Sequence, residues 1–279
     1  MSGGGAFFTS IDRYELKYII PYELVEPITD YLMAFCVLDY HSTISENNFY
    51  DVNSLYFDTP HFLFYKNRMN GKNPRFNMRA RSYGKEPKPP YFLEIKFKDS
   101  GIVNKHRATI NDEDWPMMLT DPNFVIERDG SAKDKDKKEL FYQLVTKYNA
   151  EPKILTHYKR RAFVSIMDEY ARVTMDVDLK YNLESNFNII PDEEKLISYD
   201  NPNTFVSEAQ SNSDNGCVIL ELKCVPTEVP LWMLDLIRQF QLNRTSFSKY
   251  VQSMTNAARH SQFYKESFNF NDRMVNVHI

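Results

Sequence analysis

The sequence predicts an α+β domain: a mostly antiparallel, highly curved or barrel-like sheet with flanking helices. Three observations predict it. Glu-x-Lys stands inside an apolar run three times, at Tyr14–Tyr18, Phe92–Phe97 and Val218–Cys224. Seven or eight alternating segments fall in two runs separated by a helical insert. No βαβ repeat of the dinucleotide-binding kind interrupts them.

The elements follow in order. Ile11 to Ile20 is a first strand, stopped by Pro21. Tyr22 to Leu38 has helical spacing of apolar residues, with Pro27 as a kink or a late start. Phe49 to Asp58 alternates as a strand. Thr59-Pro60 then predicts a short helix through Arg68, with Thr59 as N-cap and Pro60 at the first helical position. Arg75 to Tyr83, Tyr91 to Lys98 and Ile102 to Ile110 are three strands joined by turns, an antiparallel meander. Asn111 to Leu119 is a capped helical turn. The charge run Lys133 to Glu139 is a solvated segment leading into a helix over Glu139 to Tyr148. Ile154 to Ile166 and Ala171 to Leu179 pair through the turn at Asp168-Glu169-Tyr170. Asn182 to Gly216 is polar and irregular, with a short strand near Phe187 to Ile190. Val218 to Cys224 is the last long strand. Pro230 to Leu242 and Phe247 to His260 are amphipathic helices, the second capped by Thr245 or Ser246. The expected organisation is a flexible N-terminus (1–9), one domain (10–260) and a C-terminal tail (261–279).

Composition narrows the function classes. The chain has 279 residues, enough for a sizeable core. Its net charge is -4, which argues against a general nucleic-acid binder. Three widely spaced cysteines, Cys36, Cys217 and Cys224, form no CxxC pair, so neither a zinc site nor a disulfide framework is indicated. With no apolar stretch long enough to cross a bilayer and no signal peptide, a reduced, cytoplasmic setting is expected.

The chemistry lies in the strand parity. Alternate side chains of a strand face opposite ways. Val218, Leu220, Leu222 and Cys224 share one face; Ile219, Glu221 and Lys223 share the other. The same rule gathers Lys17, Arg79, Arg81, Lys96, Lys105, Arg107, Arg160, Arg172 and Lys223, with the acids Glu15, Glu94 and Glu221. An exposed sheet face carrying ordinary surface charges would account for any single strand. It does not account for five or six strands placing cations on one parity. Enclosed like charges repel by roughly 4 kcal/mol per contact pair at an effective dielectric near 20. Such a face makes sense as a wet cavity that receives a polyanion, with Arg forks matched to phosphate oxygens.

Other phosphate chemistries are absent. There are eight glycines and no GxxxxGK or GxGxxG cradle. GxSxG and HExxH are missing. The histidines show no ligand spacing. Phosphate is therefore held by side chains and a divalent metal, which needs only one or two carboxylates because phosphate and water complete its shell. Glu221 is the leading metal ligand. Glu15 and Glu94 are the other candidates, or else hold neighbouring cations in place.

Arg13-Tyr14-Glu15-Leu16-Lys17-Tyr18, Ser54 to Pro60, Arg79-Ala80-Arg81-Ser82-Tyr83, Leu93-Glu94-Ile95-Lys96, Tyr158 to Phe163 with Arg172, Ile219 to Lys223 and Phe247-Ser248-Lys249-Tyr250 resemble, in order, the VTC domain. This is the catalytic domain of vacuolar transporter chaperone polyphosphate polymerases and their bacterial relatives, in the triphosphate tunnel metalloenzyme superfamily. The resemblance implies a closed, eight-stranded antiparallel β-barrel tunnel, with Mn or Mg as cofactor. It implies a metal-dependent phosphotransferase that moves the γ-phosphoryl group of ATP onto inorganic polyphosphate. Carried over by position, Lys17, Arg79, Arg81, Lys96, Lys105, Arg160, Arg172 and Lys249 bind phosphate and Glu221 binds metal. Lys249 comes from the resemblance alone. The superfamily's ExExK opening is here Arg13-x-Glu15-x-Lys17, which suits the VTC branch. Catalytic roles are expected for Arg79, Arg81, Arg160, Arg172 and Lys96, and substrate contacts for Lys17, Lys105, Arg107, Lys223 and Lys249. The expected partners are ATP and polyphosphate, with neither nucleic acid nor a membrane span. The rivals are a tripolyphosphatase or nucleoside triphosphatase in the same tunnel, and a non-catalytic polyphosphate- or inositol-phosphate-binding module.

Overall fold

The computed structural model describes residues 14–99, 102–126, 132–168, 170–201, 216–225 and 228–260. The expected flexible N-terminus, Arg13 of the opening motif, Glu169 of the predicted turn and the C-terminal tail lie outside these residues.

Eleven strands form one sheet among the described residues. They are β1 (Tyr14–Pro21), β2 (Cys36–Leu38), β3 (Tyr50–Asp58), β4 (Arg75–Tyr83), β5 (Tyr91–Asp99), β6 (Ile102–Ile110), β7 (Glu151–Ser165), β8 (Ala171–Leu183), β9 (Ile197–Ser198), β10 (Cys217–Cys224) and β11 (Arg244–Thr245). The helices are α1 (Val25–Leu32), α2 (Tyr40–Ile44), α3 (Leu63–Met69), α4 (Met117–Thr120), α5 (Ala132–Tyr148), α6 (Leu231–Gln239) and α7 (Lys249–His260). Along the sheet the order is β11-β1-β10-β8-β7-β3-β4-β5-β6, with β2 beside β7 and β9 beside β8. Every pairing is antiparallel.

The predicted closed, eight-stranded barrel is corrected on both points. The ladder is open between β6 and β11, and the extra strands β2, β9 and β11 are two or three residues long. Segments that short carry no readable alternation. Charge, not backbone, spans the open side: Lys96 on β5 pairs with Glu15 on β1. The outer edge β6 is met by α5, where Asp134 accepts from Thr109 N–H and hydroxyl, both at 3.2 Å. Such cover keeps an edge from pairing with another chain.

Local departures have local causes. The predicted helix over Tyr22 to Leu38 splits into a 3₁₀ turn, α1 and β2. Pro27 falls in the first turn of α1, where its missing N–H removes no intrahelical bond. After β3, Pro60 does not start the helix. Asp58 accepts from Thr59, Phe64 and Tyr65 N–H at 2.7–2.9 Å, Thr59 Oγ1 accepts from Leu63 N–H, and α3 begins at Leu63. The helical turn expected over 111–119 regularises only at α4. No strand forms at 187–190; the short one is β9. Ser248, not Thr245 or Ser246, takes the capping position at α7, its Oγ 3.5 Å from Val251 N.

Parity separates two faces. On the convex side, α1 and α6 pack Ile28, Leu32, Trp232, Met233 and Leu236 against Tyr18, Val173, Met175, Leu220 and Leu222. The α3–α5 region packs Phe64, Trp115, Met118 and Phe141 against Leu55, Phe57, Met78, Leu93 and Ile95. The helix α7 is different. It packs Tyr250, Met254 and Ala257 against Tyr56, Tyr158, Tyr181 and Ile219. Ile219 shares its parity with Glu221, so α7 lies on the charged, concave side. Met254 is fully buried there, a gain of roughly 1.5–3 kcal/mol that anchors the helix.

Candidate functional site

The concave face concentrates charge around three carboxylates. Glu94 on β5 is 2% exposed and serves four cations. Arg79 reaches it at 2.6 Å, Lys105 at 2.6 Å, Arg107 at 3.5 Å and Arg81 at 3.8 Å. The sheet register makes this unavoidable: Arg79, Glu94 and Arg107 are successive partners across β4, β5 and β6. Burial would raise the Glu94 carboxyl, but Arg81, Arg79 and Lys105 outweigh it and hold the group well below the carboxylate range. Hydroxyls set the guanidinium orientations. Arg79 donates to Tyr56 at 2.8 Å; Arg81 donates to Ser54 at 3.2 Å and to Tyr158 at 3.3 Å.

Asp176 on β8 is the second centre, 1% exposed. Arg160 donates to it through both prongs at 2.6 and 2.8 Å, and Lys249 reaches it at 2.5 Å. Burial opposes ionisation there as well, yet Arg160 and Lys249 push the carboxyl far down. The Lys249 ammonium also lies 4.3 Å from the centroid of the Tyr158 ring.

Glu221 on β10 is the third, and the loosest. Lys223 is 3.2 Å away and Lys17 is 3.8 Å away. Lys17 donates instead to Phe247 O at 3.1 Å, in the turn before α7. Burial pulls Lys17 down to about 8, more than Glu221 restores. Lys105 is nearly half exposed along its side chain, but desolvation, with Arg79 and Arg81 beside it, brings its ammonium to about 7 despite Glu94.

The predicted residues therefore converge, with one outlier. Lys17, Arg79, Arg81, Lys96, Lys105, Arg107, Arg160, Lys223 and Lys249 border one channel with Glu15, Glu94 and Glu221. Arg172, opposite Lys223 in the register, is exposed at the rim and makes no ion pair among the described residues. Its guanidinium lies 5.6 Å from the Tyr170 ring. Asp176 was missed, although Arg172, Thr174 and Asp176 share a parity. The tyrosines that orient the guanidiniums, Tyr56 and Tyr158, were missed too; both stand on the same parity as Ser54 and Arg160.

No group of three or more His, Cys, Asp or Glu side chains suited to a metal occurs among the described residues. The donor set fits an ion that takes most of its shell from phosphate and water. Glu15 and Glu221 are near enough to influence each other's ionisation. Glu221 has its lysines at 3.2 and 3.8 Å, whereas Glu94 has Arg79 and Lys105 both at 2.6 Å.

The chain matches the VTC domain over residues 12–257. Vacuolar transporter chaperone complex subunit 4 of Trypanosoma cruzi (strain CL Brener) is 25% identical over 290 aligned residues, covering 91% of this chain and 35% of that protein. The subunit of the same name from Trypanosoma brucei brucei (strain 927/4 GUTat10.1) is 22% identical over 240 residues, covering 77% and 29%. The chain thus spans about a third of the length of these relatives. The solved structure of the PH1819 protein from Pyrococcus horikoshii OT3 aligns over 89% of this chain and 99% of that one, at 9% identity and a TM-score of 0.43, a likeness too loose to carry an argument.

Proposed function

The chain belongs to the VTC domain family, and from that premise we propose that it is a polyphosphate polymerase. It transfers the γ-phosphoryl group of ATP to a growing inorganic polyphosphate chain in the concave channel. One observation carries this reading: nine cations line the channel against four carboxylates, and Glu94 alone is shared by four of them. A charge excess of that size in a partly buried space is stabilised by a polyanion.

The roles follow from the geometry. Arg79, Arg81, Arg160 and Lys249 are held by Tyr56, Ser54, Tyr158 and Asp176 before substrate arrives, so little reorganisation is left for the reacting state. They neutralise the phosphoryl oxygens and align acceptor and leaving oxygens. Lys17, Lys96, Lys105, Arg107 and Lys223 hold the flanking phosphates, and Arg172 receives them at the rim. A bound Mn or Mg, held by Glu221 with Glu15 beside it, would supply further neutralisation of phosphate charge. No side chain is needed as a nucleophile; the terminal oxygen of the polyphosphate attacks the γ-phosphorus in line while its bond to the β–γ bridging oxygen breaks and ADP leaves. No helix of the described residues is long and apolar enough to cross a membrane.

Incubation with ATP and Mn, followed by gel analysis, tests the assignment. Long polyphosphate supports it. Release of phosphate alone makes the chain a hydrolase, and binding without turnover makes it a binding module.

A further inference from the structure

The basic lining does not stop at the central channel. Arg75 and Lys98 are direct partners in the β4–β5 register, two positions beyond the Asn77–Lys96 pair and on the same concave parity. Like charges directly opposite on an antiparallel pair are destabilising. Among the described residues neither Arg75 nor Lys98 makes a close ion pair; Glu15 acts on Lys98 only at longer range. The nearest acid in sequence, Asp99, accepts instead from Asn73 at 3.2 Å. Arg68 joins them from α3 and also makes no ion pair among the described residues; its guanidinium donates to Ser246 at 3.0 Å. Arg75 donates to Lys72 O at 2.8 Å, which holds its guanidinium in place. All three are partly buried. Burial lowers Lys98, Arg75, Arg68 and Lys96 lower it further, and Glu15 offsets only part of this.

Their position is specific. The channel has two ends. Tyr50, Tyr83 and Arg172 lie toward one. Asp58, Arg75, Lys98 and the α3–α7 contact lie toward the other. There α7 fills the space beside β3, β7, β8 and β10. The three cations stand at this end, Arg75 and Lys98 on the β4–β5 pair and Arg68 on α3.

We propose that Arg68, Arg75 and Lys98 form an outer phosphate-binding stretch at the α3 end of the channel, occupied by the distal phosphates of a chain too long for the central site. This rests on the polyphosphate assignment above and extends its footprint. A three-phosphate ligand held by Arg79, Arg81, Arg160 and Lys249 does not reach the outer stretch; a longer chain does.

The test compares two ligands on one variant. Tripolyphosphate and a polyphosphate many times longer are titrated by calorimetry, at about 0.15 M salt to screen distant charges. For Arg75→Ser combined with Lys98→Ser, affinity for the long chain falls about tenfold or more while that for tripolyphosphate stays within about twofold. Arg75→Lys combined with Lys98→Arg keeps both charges and retains long-chain affinity. A control removes two exposed lysines of the β4–β5 turn, Lys85→Ser with Lys88→Ser. Equal losses for both ligands overturn the proposal, as does no loss, or the same long-chain loss in the control. Failure of the unsubstituted protein to bind either ligand instead overturns the polyphosphate assignment itself.

Discussion

Lys249, the first residue of α7, meets Asp176 on β8 at 2.5 Å and shares that carboxylate with Arg160. The pair ties the helix on the concave side to the sheet. It also leaves a single buried acid between two cations.

Asp176→Asn removes that acid and strands Arg160 and Lys249. Breaking a buried pair by deleting one partner costs about 3–5 kcal/mol. The expected outcome is a lower denaturation midpoint that added tripolyphosphate largely restores, because the ligand then supplies the missing negative charge. Denaturant titration with and without ligand checks both parts. A stable, ligand-indifferent variant would show that Asp176 does not neutralise these cations.

Arg79→Ala and Arg172→Ala should separate the centre of the channel from its rim. Arg79 is held by Glu94 and Tyr56, and its loss removes a charge-assisted bond worth about 1.5–3 kcal/mol. Triphosphate affinity should fall about tenfold or more. Arg172 is exposed and should cost less than tenfold, since exposed ion pairs contribute at most about 1 kcal/mol. Equal effects, or none at Arg79, would contradict the placement.

Glu221→Gln keeps the shape of the side chain and removes its charge. Turnover with Mn or Mg should be lost while the circular dichroism spectrum and triphosphate binding without metal persist. Retained turnover would remove Glu221 from the metal.

Binding should depend on pH through two lysines. Burial brings the Lys17 ammonium down to about 8 and that of Lys105 to about 7. Only their charged forms favour a polyanion, which raises both values on binding. Well below pH 7 both are already protonated, and their contribution is constant. As pH rises through about 7 to 9, protons must be taken up on binding, and affinity falls. Calorimetry in buffers of different ionisation enthalpy should detect the uptake. Lys17→Arg should flatten the slope between pH 8 and 9, because a guanidinium stays charged. A pH-independent affinity would contradict the lowered values.

Much of the channel was legible because strand parity is local. Arg79, Arg81, Lys96 and Lys223 could be assigned to one face by alternation, and the structure brings them together. Asp176 obeys the same alternation but stands outside the Glu-x-Lys pattern that marks the other three acids. The rank of the acids was not legible. Glu15, Glu94 and Glu221 occupy equivalent Glu-x-Lys patterns, yet Glu94 serves four cations. That follows from which strands flank β5, and flanking is a property of the assembled sheet.

The sequence by itself determined the polarity of each strand, the helices that cover the convex face and the excess of cations on the other. It did so because alternation and helical periodicity depend on neighbours a few residues apart. Only the tertiary structure decided that the sheet stays open, that an ion pair between Lys96 and Glu15 spans the gap, and that α7 enters the concave side to bring Lys249 to Asp176. Those contacts join residues 81 and 73 positions apart in the chain. Their partners are selected by curvature and packing, which no local pattern encodes.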